Sequence, residues 1–457
     1  MRVKLAGAGQ PMSATDLGER QRPRHLLRVL GVVFGVAVTV GQTAGAGIFR
    51  APGVVADHLS TFGPFIGVWI AGALYALLGA NALAELGIAV PRSGGPYNFV
   101  RRGLGNYPGF IVGWSDWLAL CGATAVAAIV IGECVSGLAP ELKGQTPVVA
   151  VATVLLFAAL QWPGTRSGAL TQNVATLVKV AGLFILITAC FIVGNRGVAA
   201  ASLQLDSGPP MIIDFIIALQ AVIYTYEGWS AVLYFSEEIR EPGRSIPRSM
   251  FGGLAMVAVV YIVLNLAMLK VVPIATIAGS DLAAAVVTGQ MFGAHGDLYL
   301  RVLTILALLS VVSASLLMAP RVLVAMSHDG LVAERPGAVS SGGAPRPALF
   351  ASSATAILFI VSGRLEFVMA VLAFFLVAKY ALSFLSLFAL RIRAPEMPRP
   401  YRAWGHPFTT GLALAGSVTF LAAAVMNDTR NAAVALALLA VSVPVYLVSR
   451  GLLGDPA

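Results

Sequence analysis

Charge is what this sequence has least of. Only 11% of its 457 residues are Asp, Glu, Lys or Arg, against 58% hydrophobic. Soluble domains carry roughly a quarter charged residues, so a chain this poor in charge cannot clothe several cores in water-facing surface. Cysteine is scarce too. Cys121, Cys134 and Cys190 all fall inside apolar runs, with neither metal-ligand spacing nor a disulfide framework, and read as small packing residues. The five histidines (His25, His58, His295, His328 and His406) are scattered through loops and run ends without a paired metal motif. No nucleophile–base pair and no nucleotide-binding loop accompany them. That excludes an enzyme and leaves no basis for a bound metal or an organic cofactor. The net charge of +9 does not indicate nucleic acid, because the basic residues sit in short loops between apolar runs and form no stripe interleaved with aromatics.

What is present is a long series of apolar runs. A membrane span needs roughly 20 mostly apolar residues. Spans are expected at 26–58, 63–90, 107–138, 146–162, 168–195, 211–239, 246–273, 297–328, 347–362, 364–391, 408–427 and 430–450. Backbone in lipid must satisfy its own hydrogen bonds, so these are helices, and no alternating ten-residue pattern suggests a barrel. The expected fold is an all-α integral membrane protein of about twelve spans. The first run begins near Leu26, after a polar tail with Pro11, Asp16 and Glu19, and is too long for a cleaved signal. With the tail placed in the cytoplasm, 21 of the 30 basic residues lie inside and 7 outside; Lys179 and Lys379 lie within spans. That bias puts both termini in the cytoplasm.

Two spans are interrupted. The first carries Val40-Gly41-Gln42-Thr43-Ala44-Gly45-Ala46-Gly47-Ile48-Phe49 at its middle, three glycines that weaken the helix. An unwound stretch there frees N–H groups, and the following half-helix points its positive dipole end at the gap, which suits a carboxylate. Taken alone, Gly41-x-x-x-Gly45 fits a close-packing face somewhat better. The sixth span carries Tyr224-Thr225-Tyr226-Glu227-Gly228-Trp229-Ser230. A mid-span carboxylate beside glycine must face protein or water, either as a structural group bonded to a neighbouring helix or beside a site whose freed carbonyls receive an ammonium. Tyr224 or Trp229 would wall off such a pocket. Two breaks five spans apart point to an inverted-repeat transporter, and N–H donors facing carbonyls match a zwitterionic amino acid.

Six segments in order resemble one family. They are Gly45-Ala46-Gly47-Ile48-Phe49; Ala84-Glu85-Leu86-Gly87 with Pro91-Arg92-Ser93-Gly94-Gly95-Pro96-Tyr97; and Tyr226-Glu227-Gly228-Trp229. Glu237-Glu238-Ile239-Arg240-Glu241-Pro242-Gly243-Arg244 with Ile246-Pro247 follows, then Pro320-Arg321-Val322-Leu323-Val324-Ala325-Met326 with Asp329-Gly330, and Arg399-Pro400-Tyr401-Arg402. Together they resemble the amino acid–polyamine–organocation transporters, nearest the L-type amino-acid permeases and their bacterial relatives, over nearly the whole chain. The resemblance implies a leucine-transporter-type fold with two inverted repeats. The expected division is a tail over 1–25, repeats over 26–195 and 211–391, and peripheral spans over 408–450. It further implies that backbone around Thr43, Ala44, Gly45, Ala46 and Gly47 holds the substrate carboxylate. Carbonyls around Tyr224, Thr225 and Glu227 would hold the amine, with Tyr224 as an aromatic gate. The chain departs from the family at Ala46, often serine, and at Glu227, where relatives carry glycine or aspartate.

Lys179 lies about 16 Å or more from either end of the fifth span at 1.5 Å per residue, too far to snorkel. It resembles the lysine that stands in for sodium in sodium-independent members. Whether it carries a proton, remains a fixed cation or serves a purely structural ion pair is open at this point. Lys379 matches no family motif, and Glu85, Asp116, Glu133 or Glu227 are its candidate partners. Glu237, Glu238 and Glu241 alternate with Arg240 and Arg244 as solvated pairs, or close an inner gate with Arg92 or Arg321.

The expected function is sodium-independent amino-acid transport by alternating access, as exchanger or proton-coupled symporter. A polyamine or cationic amino-acid carrier and a non-transporting sensor are the alternatives. Expected partners are the amino-acid substrate and the bilayer. The loop after the third span, Pro140 to Gln145, has no cysteine for a disulfide-linked heavy subunit. Compact loops and short tails suggest a bacterial inner membrane.

Overall fold

The computed structural model describes residues 26–194, 212–363, 365–427 and 429–453. The expected tail over 1–25, the stretch 195–211 and Arg364 lie outside the described residues. Helices follow one another as α1 (Val32–Thr43), α2 (Gly47–His58), α3 (Phe62–Ala89), α4 (Pro96–Leu104), α5 (Asn106–Leu138), α6 (Thr146–Gln161), α7 (Thr165–Gly194) and α8 (Ile212–Thr225). After a 3₁₀ turn at Ala231–Phe235 come α9 (Pro242–Val271), α10 (Ile274–Ile277), α11 (Ala283–Phe292), α12 (Gly296–His328), α13 (Arg346–Ser362), α14 (Leu365–Arg393), α15 (Phe408–Asn427) and α16 (Thr429–Leu453). No strand occurs among the described residues; one isolated bridge pairs Leu30 with Ile239.

Among the described residues six stretches are long and apolar enough to cross a membrane, and α1 with α2 makes a seventh if the bent pair is one span. Shorter apolar helices include α6, α8 and α13. Pro147 and Pro347 sit in the first turns of α6 and α13, where a missing N–H costs nothing. Pro273 follows α9 and cannot continue it.

Both expected interruptions are present. The first run divides into α1 and α2, bent by 49° across Ala44–Ala46. The sixth divides into α8, a turn over 226–230, and the 3₁₀ turn. Gly228 sits at φ +120°, where a Cβ would lie 2.6 Å from Thr43 N, so the two breaks meet backbone to backbone. Three elements lie between expected spans: α4 before the third, and α10 and α11 before the eighth. Mixed polar and apolar residues over Pro96–Leu104 gave no span-length signal there.

At the centre stands α12, in which every residue from Ser310 to Ser327 is buried. A helix apolar and buried all round belongs in the middle of a bundle. It packs along α5, α7 and α1. At the periphery α7 turns Leu170, Val174, Leu177, Phe184 and Ile185 outward, the residues expected against lipid. The α5–α6 crossing depends on Gly132, where a Cβ would come 2.6 Å from Thr146 O. Gly132→Ala should therefore lower the melting temperature in detergent by several degrees. Gly67→Ala, with nothing within 4 Å of the added carbon, should leave it unchanged or raise it slightly.

Candidate functional site

Breaking α1 from α2 exposes polar backbone in mid-bundle. The carbonyls ending α1 are negative and find donors on three neighbouring helices. Gly41 O accepts Lys179 Nζ from α7 at 2.7 Å and Ser310 Oγ from α12 at 3.1 Å. One turn earlier, Ala37 O accepts Thr176 Oγ1 at 2.9 Å and Gln172 Nε2 at 3.4 Å. Lys179 is fully buried, and its ammonium lies on the backbone of the break. Gly41 permits this approach, since a Cβ there would collide with the Gln172 side chain. Gly45 differs: its nearest neighbour would be Val311 at 3.7 Å. The two glycines are thus not one packing face.

Across the gap, Tyr261 of α9 joins the two breaks. Its hydroxyl stands 3.0 Å from both Thr43 O and Thr225 O, one proton shared between two carbonyls. Thr43, Ala44 and Ile48 are buried, whereas Gly45, Ala46 and Gly47 keep accessible surface in the middle of the broken span. The first N–H groups of α2 lack intrahelical acceptors by helix geometry. Gly45 N donates to Thr43 O at 2.8 Å and Phe49 N to Ala46 O at 3.1 Å, so of the N–H groups expected for a carboxylate that of Gly45 is already engaged. Thr225 O is already engaged by Tyr261, so of the carbonyls expected for an amine this one is shared.

The other side of α8 opens into a narrow cleft against α3, α14 and α15. Tyr224, Glu227 and Trp229 line it with Tyr75, Tyr380 and Phe420. Tyr224 is 45% exposed, and Trp229 stacks on Tyr380 with centroids 5.1 Å apart. None of the residues 43–47 lines this cleft. Behind it lies a buried charge cluster. Lys379 Nζ is 3.0 Å from Asp116 Oδ1 and 3.9 Å from Glu227 Oε1, so Lys379 meets two of its four candidate partners. Glu85 pairs instead with Arg391 and Arg399. Tyr234 donates to Asp116 at 2.6 Å and Tyr380 to Glu227 at 2.7 Å.

At the end of the bundle carrying the basic loops, Glu238 is wholly buried against Arg321, with Nη2–Oε2 at 2.8 Å and Thr165 Oγ1 at 3.0 Å. Arg321 also lies over the Phe235 ring. The solvated-pair expectation fails at Glu238. Arg92 turns to Asp329 at 2.9 Å, with Glu237 at 3.9 Å, and Arg101 and Tyr97 meet the same Asp329. Leu30 exchanges backbone hydrogen bonds with Glu238 and Arg240, tying the entry of α1 to the loop after the 3₁₀ turn. Ser310, Tyr261, Tyr234, Tyr380 and Asp329 were missed from sequence. Single hydroxyls in apolar spans carry no periodic signal, whereas Asp329 stood within a recognised motif.

A helical membrane bundle in which two interrupted spans meet at an accessible gap has the architecture of a secondary transporter. The chain belongs to the amino acid permease family, whose model matches residues 27–448. It is 25% identical over 427 residues to the serine/threonine exchanger SteT of Bacillus subtilis (strain 168), covering 92% of this chain and 96% of that protein. It is 24% identical over 394 residues to the b(0,+)-type amino acid transporter 1 of Homo sapiens, covering 84% and 80%. It is 25% identical over 389 residues to the Asc-type amino acid transporter 1 of Mus musculus, covering 82% and 73% of the two chains.

Removing one member of a buried ion pair strands the other. Arg321→Ala should cost about 3–5 kcal/mol, read as a large fall in melting temperature, and Glu238→Gln with Arg321→Met together should recover more than half of it. Tyr261→Phe, which deprives two carbonyls of a donor, should cost about 1–3 kcal/mol.

Proposed function

We propose that this protein is a sodium-independent amino-acid carrier that works by alternating access, as an exchanger or a proton-coupled symporter. The observation that carries the reading is the Lys179 ammonium 2.7 Å from Gly41 O at the break of the first span. A tethered cation there neutralises the carbonyl end of α1, the place where a sodium ion would otherwise be useful. Family membership supports amino acids as cargo, and the relatives' names include exchangers and transporters of amino acids.

In this reading the shorter apolar helices α6, α8 and α13 and the apolar parts of α15 and α16 are spans, giving twelve, arranged as inverted repeats over 26–195 and 211–391 with 408–450 at the periphery. Backbone around Thr43, Ala44, Gly45, Ala46 and Gly47 holds the substrate carboxylate. Thr225 stands against Gly47 across the gap, and Tyr224, Glu227 and Trp229, which line the cleft on the other side of α8, turn to complete the opposing wall when substrate binds, with Tyr224 closing over it. The buried Glu238–Arg321 pair and the Arg92–Asp329–Glu237 group shut the inner side, with both termini cytoplasmic and the chain in a bacterial inner membrane. Carriage of polyamines or cationic amino acids has one observation in its favour, Glu227 in the cleft wall.

Uptake of a labelled amino-acid panel into sodium-free proteoliposomes tests this, with and without internal amino acid and with and without an inward proton gradient. Wild type should transport without sodium, and Lys179→Met should lose at least tenfold. A requirement for sodium, or full activity in Lys179→Met, would overturn the role of Lys179; binding without flux would indicate a sensor.

A further inference from the structure

We infer that the cleft beside the sixth span is a second binding site, for a compact alkylammonium ion that inhibits the carrier without being carried. Binding stands apart from the transport reading above; the inhibition rests on it.

The charges at the cleft do not balance. Asp116 and Glu227 are two carboxylates, and Lys379 is the cation between them. Lys379 Nζ hydrogen-bonds Asp116 Oδ1 at 3.0 Å and lies 3.9 Å from Glu227 Oε1, beyond hydrogen-bond range. Its charge therefore serves Asp116 first. The side chains of Lys379 and Asp116 are 5% and 1% exposed and neither lines the cleft, whereas Glu227 is 23% exposed and does. Among the described residues no Lys, Arg or His lines it. The cleft thus meets the side of the cluster that carries the uncompensated negative charge. A carboxylate short of a cation in mid-span is costly, so a ligand that brings one is favoured.

The walls define the kind of cation. Tyr380 stacks on both Trp229 and Phe384, with centroids 5.1 and 6.3 Å away, and Tyr75 stacks on Phe420 at 6.5 Å. All five rings line the cleft. Tyr75 and Tyr380 give their hydroxyl protons to Ala413 O and Glu227 Oε2. What remains is ring surface around one carboxylate. That suits an alkylammonium, whose methyl groups pack on the rings while its charge meets their negative faces. A zwitterion fits worse, because its own carboxylate finds no basic side chain there. The cleft volume of 40 Å³ is the room of roughly three waters, enough for a methylated ammonium head. Glu227 lies in mid-span, deeper than the headgroups of a bilayer, so the ligand is a free amine and not a lipid.

None of the residues 43–47 lines the cleft, so the amine does not occupy the seat proposed for the substrate carboxylate. It acts on Tyr224, Glu227 and Trp229, holding them on the cleft side of α8 when substrate requires them across the gap.

Equilibrium dialysis of the purified protein with labelled choline tests the site, with 3,3-dimethylbutanol, its uncharged isostere, as competitor. Choline should bind saturably, and unlabelled choline should displace it at least tenfold more potently than the isostere. E227Q should weaken binding at least tenfold. If that variant does not fold, Phe420→Ala on the peripheral α15 is read instead and should weaken binding at least threefold. No saturable binding, equal potency of the two competitors, or unchanged binding in the variant read overturns the site. In sodium-free proteoliposomes, saturating choline should cut amino-acid uptake at least fivefold and should not itself accumulate. Undiminished uptake, or accumulation of choline, overturns the inhibition. Wild-type vesicles that take up no amino acid would instead remove the transport reading and leave the dialysis result standing.

Discussion

A helix interrupted inside hydrocarbon leaves carbonyls that water does not reach, and the interior of this bundle is arranged around giving them donors. Lys179 and Ser310 converge on Gly41, Thr176 and Gln172 on Ala37, and Tyr261 on Thr43 and Thr225. These donors come from α7, α9 and α12, so the break in α1 determines which helices must lie against it. On the other side of the gap Gly45 N and Phe49 N are taken up by Thr43 O and Ala46 O, while Gly45, Ala46 and Gly47 keep accessible surface. One constraint thus produces both the packing of the centre and the polarity of the site.

The ionisable groups buried in the bundle fall into separate sets with different surroundings. Among the described residues, Lys179 has backbone and no carboxylate as its hydrogen-bond partner. Lys379 is neutralised by side chains on α5 and on the turn after α8. Glu238 and Arg321 neutralise one another near the basic loops. Each set joins helices far apart in sequence, which is why none of these pairings is local.

Much of this is legible in the sequence alone. Span positions followed from apolar run length, and most agree with the helices to within a few residues. Both breaks were visible because glycine clusters and a mid-span carboxylate are costly in lipid and stand out. Lys179 stands out by helix rise alone, since it lies too far from either span end to snorkel, but the carbonyl it meets, Gly41 O, is set by the packing of α7 on α1. Lys379 could be placed in a span but its partners could only be narrowed to four, since pairing across α5, α8 and α14 depends on helix rotation that composition does not encode. The burial of Glu238 was misread because its neighbours Glu237, Arg240 and Glu241 give the segment the look of a solvated loop. Tyr261 gave no signal at all, one hydroxyl among apolar neighbours.

The enclosure of the Glu238–Arg321 pair has a consequence for the environment in which it operates. Mobile ions weaken attractions between exposed charges over a distance of about 8 Å at physiological ionic strength, but they do not enter a site that solvent does not reach. Glu238 and Arg321 are sheltered in this way, whereas Arg92 and Glu237 are partly open to solvent. The same end of the bundle therefore combines a fastening indifferent to osmotic and saline change with one that loosens as salt rises. An organism whose internal salt fluctuates would retain the first throughout.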